Sequence, residues 1–208
     1  MDSIYGNQKE ILRQVMDHVV GKIRDYNEEI KDKTGHPIYE HLICRLKSED
    51  SMREKCMRKG EEVSPVTALK VMKDAIGIRI VTGFVDDIFT LIHKIRCIPG
   101  FSVIEEKDYI NNAKPNGYRS YHMILEIEYP YAEDILGENP GRYFVEIQLR
   151  TIAMDCWASL EHEMKYKRTI ANQQMLVAEL KRCADELASC DVTMQTIRNL
   201  IRADEAKE

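Results

Sequence analysis

Two segments of the chain alternate between apolar and polar residues with a period of two, and they constrain the fold more than any other feature. In residues 142–150 every second position from Tyr143 to Leu149 is apolar, and residues 118–129 alternate likewise from Tyr121 onwards. Because side chains alternate across a β-strand, both segments are predicted strands with one apolar and one polar face. Taken singly, each is most simply explained by an antiparallel sheet with one solvated face.

The rest of the chain alternates between strand-like and helix-like patterns. Further strands are predicted at residues 38–47, 75–82 and 101–110. Helical spacing of apolar residues is found at 7–32, 85–97, 151–167 and from position 171 onwards, and short helices are predicted to be capped by Ser51 and Ser64. This order favours an α/β (α+β) fold with a mixed sheet of about five strands, flanked by helices and extended by helices at both ends.

We expect a single domain. Its parts are an N-terminal helix (residues 1–35), a catalytic core (36–168) and C-terminal helices (169–208). The apolar residues of the C-terminal helices are suited either to packing on the core or to oligomerisation. The 208 residues are 44% hydrophobic and 31% charged, which is ordinary for a globular protein. No apolar run approaches the roughly 20 residues that span a bilayer, so no membrane partner is expected.

The N-terminal sequence lacks the basic and apolar regions of a signal peptide, so we expect a cytoplasmic protein whose six cysteines are reduced and mostly buried. The net charge of −5 argues against binding nucleic acid through its phosphates, although it leaves single-stranded RNA open. Any anion-binding site must therefore be formed by a local cluster of basic residues. Residues 45–59 are a candidate because they carry six basic and three acidic residues, although such a run is also typical of a solvated helix face.

Two carboxylates are placed as metal ligands would be. Asp74 directly precedes a predicted strand, and Glu146 lies on the polar face of another. Mg²⁺ is usually held by one or two carboxylates together with substrate phosphates. Two strand-borne carboxylates, a basic cluster and a glycine-containing loop are the components of a phosphoryl-type transfer site, although each feature alone is weak.

The loop at residues 114–120 places an aromatic ring near these groups. Asn116-Gly117 favours a tight turn, and Tyr118 follows it at the start of a predicted strand. A tyrosine there can stack on a base, which is worth on the order of 1–3 kcal/mol. His122 lies on the same strand face. An ordinary hairpin with a buried tyrosine is the simpler interpretation of this loop by itself.

Taken together and in order, these motifs resemble the synthetase domain of RelA/SpoT-type (p)ppGpp synthetases. The matching segments are Asp74–Arg79, Lys107–Ile110, Lys114–His122, Val145–Thr151, Trp157–His162 and Tyr166-Lys167, preceded by Arg45-Leu46-Lys47-Ser48. They cover about residues 38–168. At this length the chain is similar to the stand-alone small alarmone synthetases of the family.

The resemblance implies a nucleotidyltransferase-like sheet and a Mg²⁺-dependent transfer of the β,γ-pyrophosphate of ATP to the 3′-hydroxyl of GDP or GTP. It implies that Asp74 and Glu146 are the catalytic and metal-binding residues. The implied ATP-binding residues are Arg45, Lys47, Ser51, Lys55 and Arg79. The implied guanosine-nucleotide-binding residues are Lys107, Lys114, Asn116, Tyr118, His122, Gln148 and Ala158.

The resemblance also implies a homo-oligomer, a tetramer in relatives of this size, and leaves an allosteric (p)ppGpp site open. Two alternatives remain. One is a toxin-type relative that transfers pyrophosphate to tRNA 3′ ends or to adenosine nucleotides. The other is an inactive nucleotide- or RNA-binding module, against which the presence of both Asp74 and Glu146 argues.

Overall fold

The computed structural model describes residues 3–165, 173–205 and 207, so Tyr166 and Lys167 of the last motif lie outside it. Five strands are formed, β1 (His41–Leu46), β2 (Ile76–Thr82), β3 (Phe101–Asp108), β4 (Tyr121–Tyr129) and β5 (Gly141–Thr151). The α-helices are α1 (Lys9–Thr34), α2 (Glu49–Lys59), α3 (Val85–Arg96), α4 (Ile152–Lys165) and α5 (Gln173–Glu205). A 3₁₀ turn at Gly6–Gln8 precedes α1, and a π-helical turn at Thr67–Val71 precedes β2.

The strands form one mixed sheet in the order β1-β2-β5-β4-β3. β2 and β5 are parallel, and the other three pairs are antiparallel. This confirms the predicted fold class, including the number of strands and the helices at both ends. The parallel pair lies near the centre of the sheet, where both of its strands are protected from solvent by neighbours.

One face of the sheet forms the main core. Its residues, such as Ile78, Met123 and Ile147, are at most 2% exposed and pack under α1 and α3. α1 contributes Val15 and Val19, which lie on one helical stripe and are fully buried. Burying each such side chain contributes about 1.5–3 kcal/mol, so this face is what holds the sheet in its register.

α4 and α5 pack against each other and enclose a second, smaller core. Trp157, Ala158, Leu180 and Ala184 are buried there, and the Trp157 indole donates to the Leu180 carbonyl at 2.8 Å. The C-terminal apolar spacing predicted from sequence is thus used, in part, for packing within the chain. Among the described residues, no helix is both long and apolar enough to cross a membrane.

Several local predictions were wrong. The cap of α2 is Ser48, whose hydroxyl accepts from the Ser51 amide, because the helix begins at Glu49. β4 begins at Tyr121, so Tyr118 precedes the strand. Among the six cysteines, Cys56 is buried and Cys44 is half-buried. The other four are exposed, because they lie on the surfaces of helices or at a helix end, so the prediction that most are buried was wrong.

Candidate active site

The polar face of the sheet carries the candidate residues in two neighbouring rows. The first row runs from Arg45 through Gly77 and Glu146 to Ile124. The second row crosses all five strands, through Ile43, Arg79, Gln148, His122 and Lys107. Residues that pair across neighbouring strands project from the same face, so the register alone gathers side chains from all five strands.

Two cavities open on this face, and both are lined by Asp74 and Glu146. The first cavity, about 260 Å³, lies over β1 and β2 and has Arg45, Lys47 and Arg79 in its wall. The second cavity, about 410 Å³, is lined by four lysines, Lys55, Lys59, Lys73 and Lys107, and by two further carboxylates, Glu61 and Glu105, besides the shared pair. Asp74 and Glu146 therefore lie between two cavities that both contain cations, of which the first has more cations than carboxylates.

Gly77 keeps the first cavity open. It sits between Arg45 and Glu146 in the first row, and a Cβ built on it would meet only the Arg45 carbonyl, at 3.9 Å. Any larger side chain would project between the cations and the carboxylates. The floor of the cavity is thus strand backbone, which allows a ligand to approach closely.

Asp74 is surrounded by cations. Lys47 Nζ and Lys55 Nζ lie 2.5 and 2.6 Å from its Oδ2 atom. Its Oδ1 atom is buried and has no hydrogen-bond partner among the described residues. The preceding residue, Lys73, adopts a left-handed backbone conformation with φ of 57°, which costs a non-glycine residue about 1 kcal/mol. Backbone strain of this kind tends to accompany functional sites.

Glu146 is held by two neighbours. Gln148 Nε2 donates to Glu146 Oε2 at 3.2 Å, and His122 Nδ1 lies 3.4 Å from Oε1. Burial raises the pKa of Glu146, but the hydrogen bonds from His122 and Gln148 outweigh this effect and hold that pKa below its ordinary value. The side chain is therefore ionised at neutral pH, ready to hold a cation.

The Tyr118 ring lies in an aromatic cluster with Tyr109, His122 and Trp157. Its hydroxyl is 2.8 Å from His122 Nε2 and accepts from Arg150 Nη2 at 2.9 Å. Lys114 Nζ is 4.7 Å from the centre of the Tyr118 ring. Tyr118 is thus fixed at its hydroxyl end, in contact with His122 and through it with Glu146.

Six predicted site residues line neither cavity, namely Ser51, Lys114, Asn116, Tyr118, His122 and Ala158. Ser51 is exposed, and its hydroxyl bonds to Ser48. Asn116 donates to Glu161 at 3.2 Å and accepts from the Tyr118 amide, so it shapes the loop. Ala158 is buried in the small core beneath Tyr118. Of the two lysines predicted to bind the same phosphates, Lys107 lines the second cavity, whereas Lys114 covers the aromatic rings.

Sequence reasoning missed four residues of this region. Gly77, Lys73, Arg150 and Asp155 were not among the predicted site residues, although the first and third lie within the matched motifs. The position of Gly77 on the polar face of β2 could have identified it. Nothing in the sequence indicates the left-handed conformation of Lys73 or the partner of Asp155.

A mixed sheet that holds a carboxylate pair between two cavities lined by cations is the arrangement of a two-substrate transferase for phosphorylated ligands. The chain belongs to the RelA/SpoT family: residues 44–171 match the region found in RelA/SpoT proteins. GTP pyrophosphokinase YwaC of Bacillus subtilis (strain 168) is 34% identical to it over 193 residues, which make up 92% of this chain and 89% of the relative.

Solved structures show the same likeness. Small alarmone synthetase 1 from Bacillus subtilis, bound to its product pppGpp, is 30% identical with a TM-score of 0.78, over 91% of this chain and 94% of that one. The same synthetase bound to AMPCPP is 28% identical with a TM-score of 0.72, over 92% and 94% of the two chains. The similarity therefore covers the terminal helices as well as the sheet.

Proposed function

We propose that this chain is a (p)ppGpp synthetase, a GTP pyrophosphokinase that transfers the β,γ-pyrophosphate of ATP to the 3′-hydroxyl of GDP or GTP. The observation that carries the proposal is the carboxylate pair, Asp74 and Glu146, shared by two neighbouring cavities that are both lined by cations. Relatives that cover nine-tenths of the chain are GTP pyrophosphokinases or small alarmone synthetases, and one of them is bound to pppGpp.

The residues fit a divalent cation. Asp74 has one buried oxygen without a partner among the described residues, and two ammonium groups at the other. Glu146 is ionised and lines the same cavities. Mg²⁺ takes few protein ligands and completes its shell with water and phosphate oxygens, so two carboxylates suffice. When bound, Mg²⁺ would neutralise charge on the transferred pyrophosphate.

On the donor side, we place ATP in the first cavity. Arg45, Lys47 and Arg79 supply cations along its wall, and Lys55 extends them past Asp74 into the second cavity. A polyphosphate that follows this line passes directly beside Asp74. The alignment of cations with the phosphates orients the reacting β-phosphorus, which is the main requirement of this chemistry.

On the acceptor side, we place the guanine base against Tyr118, with His122 and Gln148 at the sugar. Both of these side chains contact Glu146, so the 3′-hydroxyl is delivered to that carboxylate. We place the 5′-phosphates at Lys107 and Lys114, which would exchange their present contacts with Glu105 and with the Tyr109 and Tyr118 rings for the phosphates. The hydroxyl oxygen bonds to the β-phosphorus, the bond from that phosphorus to the oxygen bridging the α-phosphate breaks, AMP leaves, and the hydroxyl proton is released.

Two roles are proposed for Glu146, general base toward the acceptor hydroxyl and additional metal ligand, and its lowered pKa favours the second. A general base works best with a pKa near the operating pH, whereas Glu146 is held below its ordinary value. We therefore propose that Glu146 acts mainly as a metal ligand and as the group that orients the acceptor hydroxyl, rather than as a strong base.

The deciding experiment is an acceptor panel. The protein is incubated with Mg²⁺ and γ-labelled ATP together with GDP, GTP, excess ATP or tRNA, each with and without ppGpp or pppGpp. Label in ppGpp or pppGpp is the expected result. Label in tRNA or adenosine products alone would replace the proposal with a toxin-type activity, and no transfer to any acceptor would leave a binding module. A response to added ppGpp or pppGpp would indicate an allosteric site.

We also propose that α5 supports self-association into a homotetramer. Several large apolar side chains near its C-terminal end are about half exposed or more, namely Val192, Met194, Ile197, Leu200 and Ile201. Light scattering of the wild type and of the Leu200→Lys variant would test this, and a monomeric wild type would refute it. We also propose a single-domain organisation and a cytoplasmic location, on the ground of the resemblance to the small alarmone synthetases.

A further inference from the structure

Asp155 makes the contact that links the two sides of the site. It lies in the first turn of α4, directly after β5, where a carboxylate is also favoured by the helix dipole. Its Oδ1 atom accepts from Arg79 Nη1 at 3.2 Å and from Arg150 Nη1 at 2.9 Å. One carboxylate thus holds a guanidinium of the donor wall and a second guanidinium on the acceptor side.

Arg150 connects Asp155 to the residues on the acceptor side of the site. The side chain of Arg150 is 7% exposed, and among the described residues its ion pair is formed with Asp155. Its Nη2 atom donates to the Tyr118 hydroxyl at 2.9 Å and to Gln148 Oε1 at 3.1 Å. A buried guanidinium with all these partners is fixed in one orientation, and it fixes the groups it donates to.

The Tyr118 hydroxyl and Gln148 in turn contact the groups around Glu146. Tyr118 is 2.8 Å from His122 Nε2, and Gln148 donates to Glu146. A continuous chain of polar contacts therefore runs from Asp155 through Arg150 to both neighbours of the proposed metal ligand. On the other side, Asp155 limits the directions in which Arg79 can point into the first cavity.

We infer that Asp155 is a positioning residue that acts through Arg150 on the guanosine-nucleotide side and through Arg79 on the ATP side. This inference rests on the proposed function. Without the Asp155 charge, the buried Arg150 guanidinium loses its counter-ion and is drawn to other acceptors, so Tyr118 and Gln148 lose a fixed donor. Arg79 is released at the same time. Both nucleotides then bind to a less preorganised site.

The test compares Asp155→Asn with Glu106→Gln. Glu106 also pairs with an arginine on another element, Arg96, but it projects to the opposite face of the sheet, so it controls for loss of an ion pair as such. We expect Asp155→Asn to raise KM for ATP and for GDP roughly tenfold each, the equivalent of a charged hydrogen bond, with a smaller change in kcat. Glu106→Gln should change neither KM.

Double variants separate positioning from a general structural effect. In an Arg150→Met background, Asp155→Asn should no longer raise KM for GDP but should still raise KM for ATP. In an Arg79→Met background the reverse is expected. Equal increases in every background would overturn the inference, and so would Asp155→Asn values equal to those of the Glu106→Gln control.

Folding and the proposed function are checked in the same series. If Asp155→Asn does not fold, Asp155→Glu carries the test. It keeps the charge but moves the carboxylate by one methylene, so both KM values should rise by a smaller factor, and unchanged values would count against the inference. A wild type that makes no alarmone removes the proposed function, whereas an active wild type with an unaffected Asp155→Asn variant removes only this inference.

Discussion

Gly77 lies directly opposite Glu146 in the parallel pairing of β2 with β5, and Arg45 faces it from the other neighbouring strand. The empty position between a carboxylate and a guanidinium is what makes the first cavity. We therefore expect a larger side chain at position 77 to lower activity without lowering stability.

Gly77→Val is expected to leave stability unchanged or to raise it slightly, because a β-branched residue suits a strand and the new Cβ meets no side chain. It should lower activity by roughly tenfold or more, since its methyl groups fill the space proposed for ATP. Thermal unfolding and the KM for ATP check this, with Gly77→Ala as a smaller step. A fully active Gly77→Val enzyme would show that ATP does not use this floor.

Asp74→Asn and Glu146→Gln should each reduce turnover by roughly 10²–10³-fold or more, since the lost charge is needed where the pyrophosphate charge is stabilised. Both variants should stay folded, because each side chain lies at a cavity and not in the core. Glu126→Gln is the matched control, since Glu126 is on the same sheet face opposite Phe144, outside both cavities. Turnover, Mg²⁺ dependence and melting temperature are measured together, and near-normal turnover in either variant contradicts the proposed roles.

Tyr118→Ala should raise KM for GDP by roughly ten- to a hundredfold, the equivalent of about 1–3 kcal/mol of stacking, and leave KM for ATP unchanged. Tyr118→Phe keeps the ring and loses the contacts to His122 and Arg150, so its effect should be smaller. Tyr131→Ala, at an aromatic residue that is 77% exposed, is the control. An unchanged KM for GDP in Tyr118→Ala would rule out the stacking role.

Gly117→Ala should disturb the acceptor loop through α5. A Cβ at Gly117, where φ is +91°, would lie 2.5 Å from the Ala184 Cβ. We expect a loss of about 1–3 kcal/mol of stability and a higher KM for GDP. Gly137→Ala is the control for the cost of a positive φ alone, since φ there is +78° and no atom lies within 4 Å of the new Cβ.

Relative to the Ala184→Gly single variant, adding Gly117→Ala should cost less than it does in the wild type, because the 2.5 Å contact is removed while the backbone strain and the 3.2 Å approach to Lys181 Cα remain. An equal cost in both backgrounds, in denaturant unfolding and in KM, would indicate that α5 does not support the loop.

Asp134→Asn should destabilise the protein at neutral pH by about 3 kcal/mol, because the buried carboxylate accepts from Lys70 and from three backbone amides. Burial raises the pKa of Asp134, but the hydrogen bonds from Lys70 and from the backbone amides outweigh this effect and hold the pKa below its ordinary value. A lowered folded-state pKa gives stability that is present above the unfolded-state pKa and is lost as pH falls through the folded value.

The difference in unfolding free energy between wild type and Asp134→Asn should therefore shrink below about pH 4. Urea unfolding at several pH values measures it, and Glu138→Gln, an exposed acid of the same loop, is the control. A difference that stays constant into strongly acidic solution would contradict this assignment.

The sequence by itself determined the architecture. The period of two in residues 118–129 and 142–150 and the helical spacing elsewhere predicted five strands and their flanking helices, and the ordered motifs predicted the family. These features are local or linear, because alternation along a strand decides which side chains share a face before any partner strand is known. The element ends were less accurate, as at Ser51 and Tyr118, since caps and ladders depend on neighbouring backbone.

Only the tertiary structure decided how these faces combine. The strand order put β2 beside β5, which placed Gly77 against Glu146 and made two cavities with one pair of carboxylates between them. It also brought Asp155 to Arg79 and Arg150, and Gly117 to Ala184, contacts for which the sequence contains no periodic signal. All of these contacts except the one between Asp155 and Arg150 join residues that are far apart in the chain, and their geometry follows from packing, which periodicity does not encode.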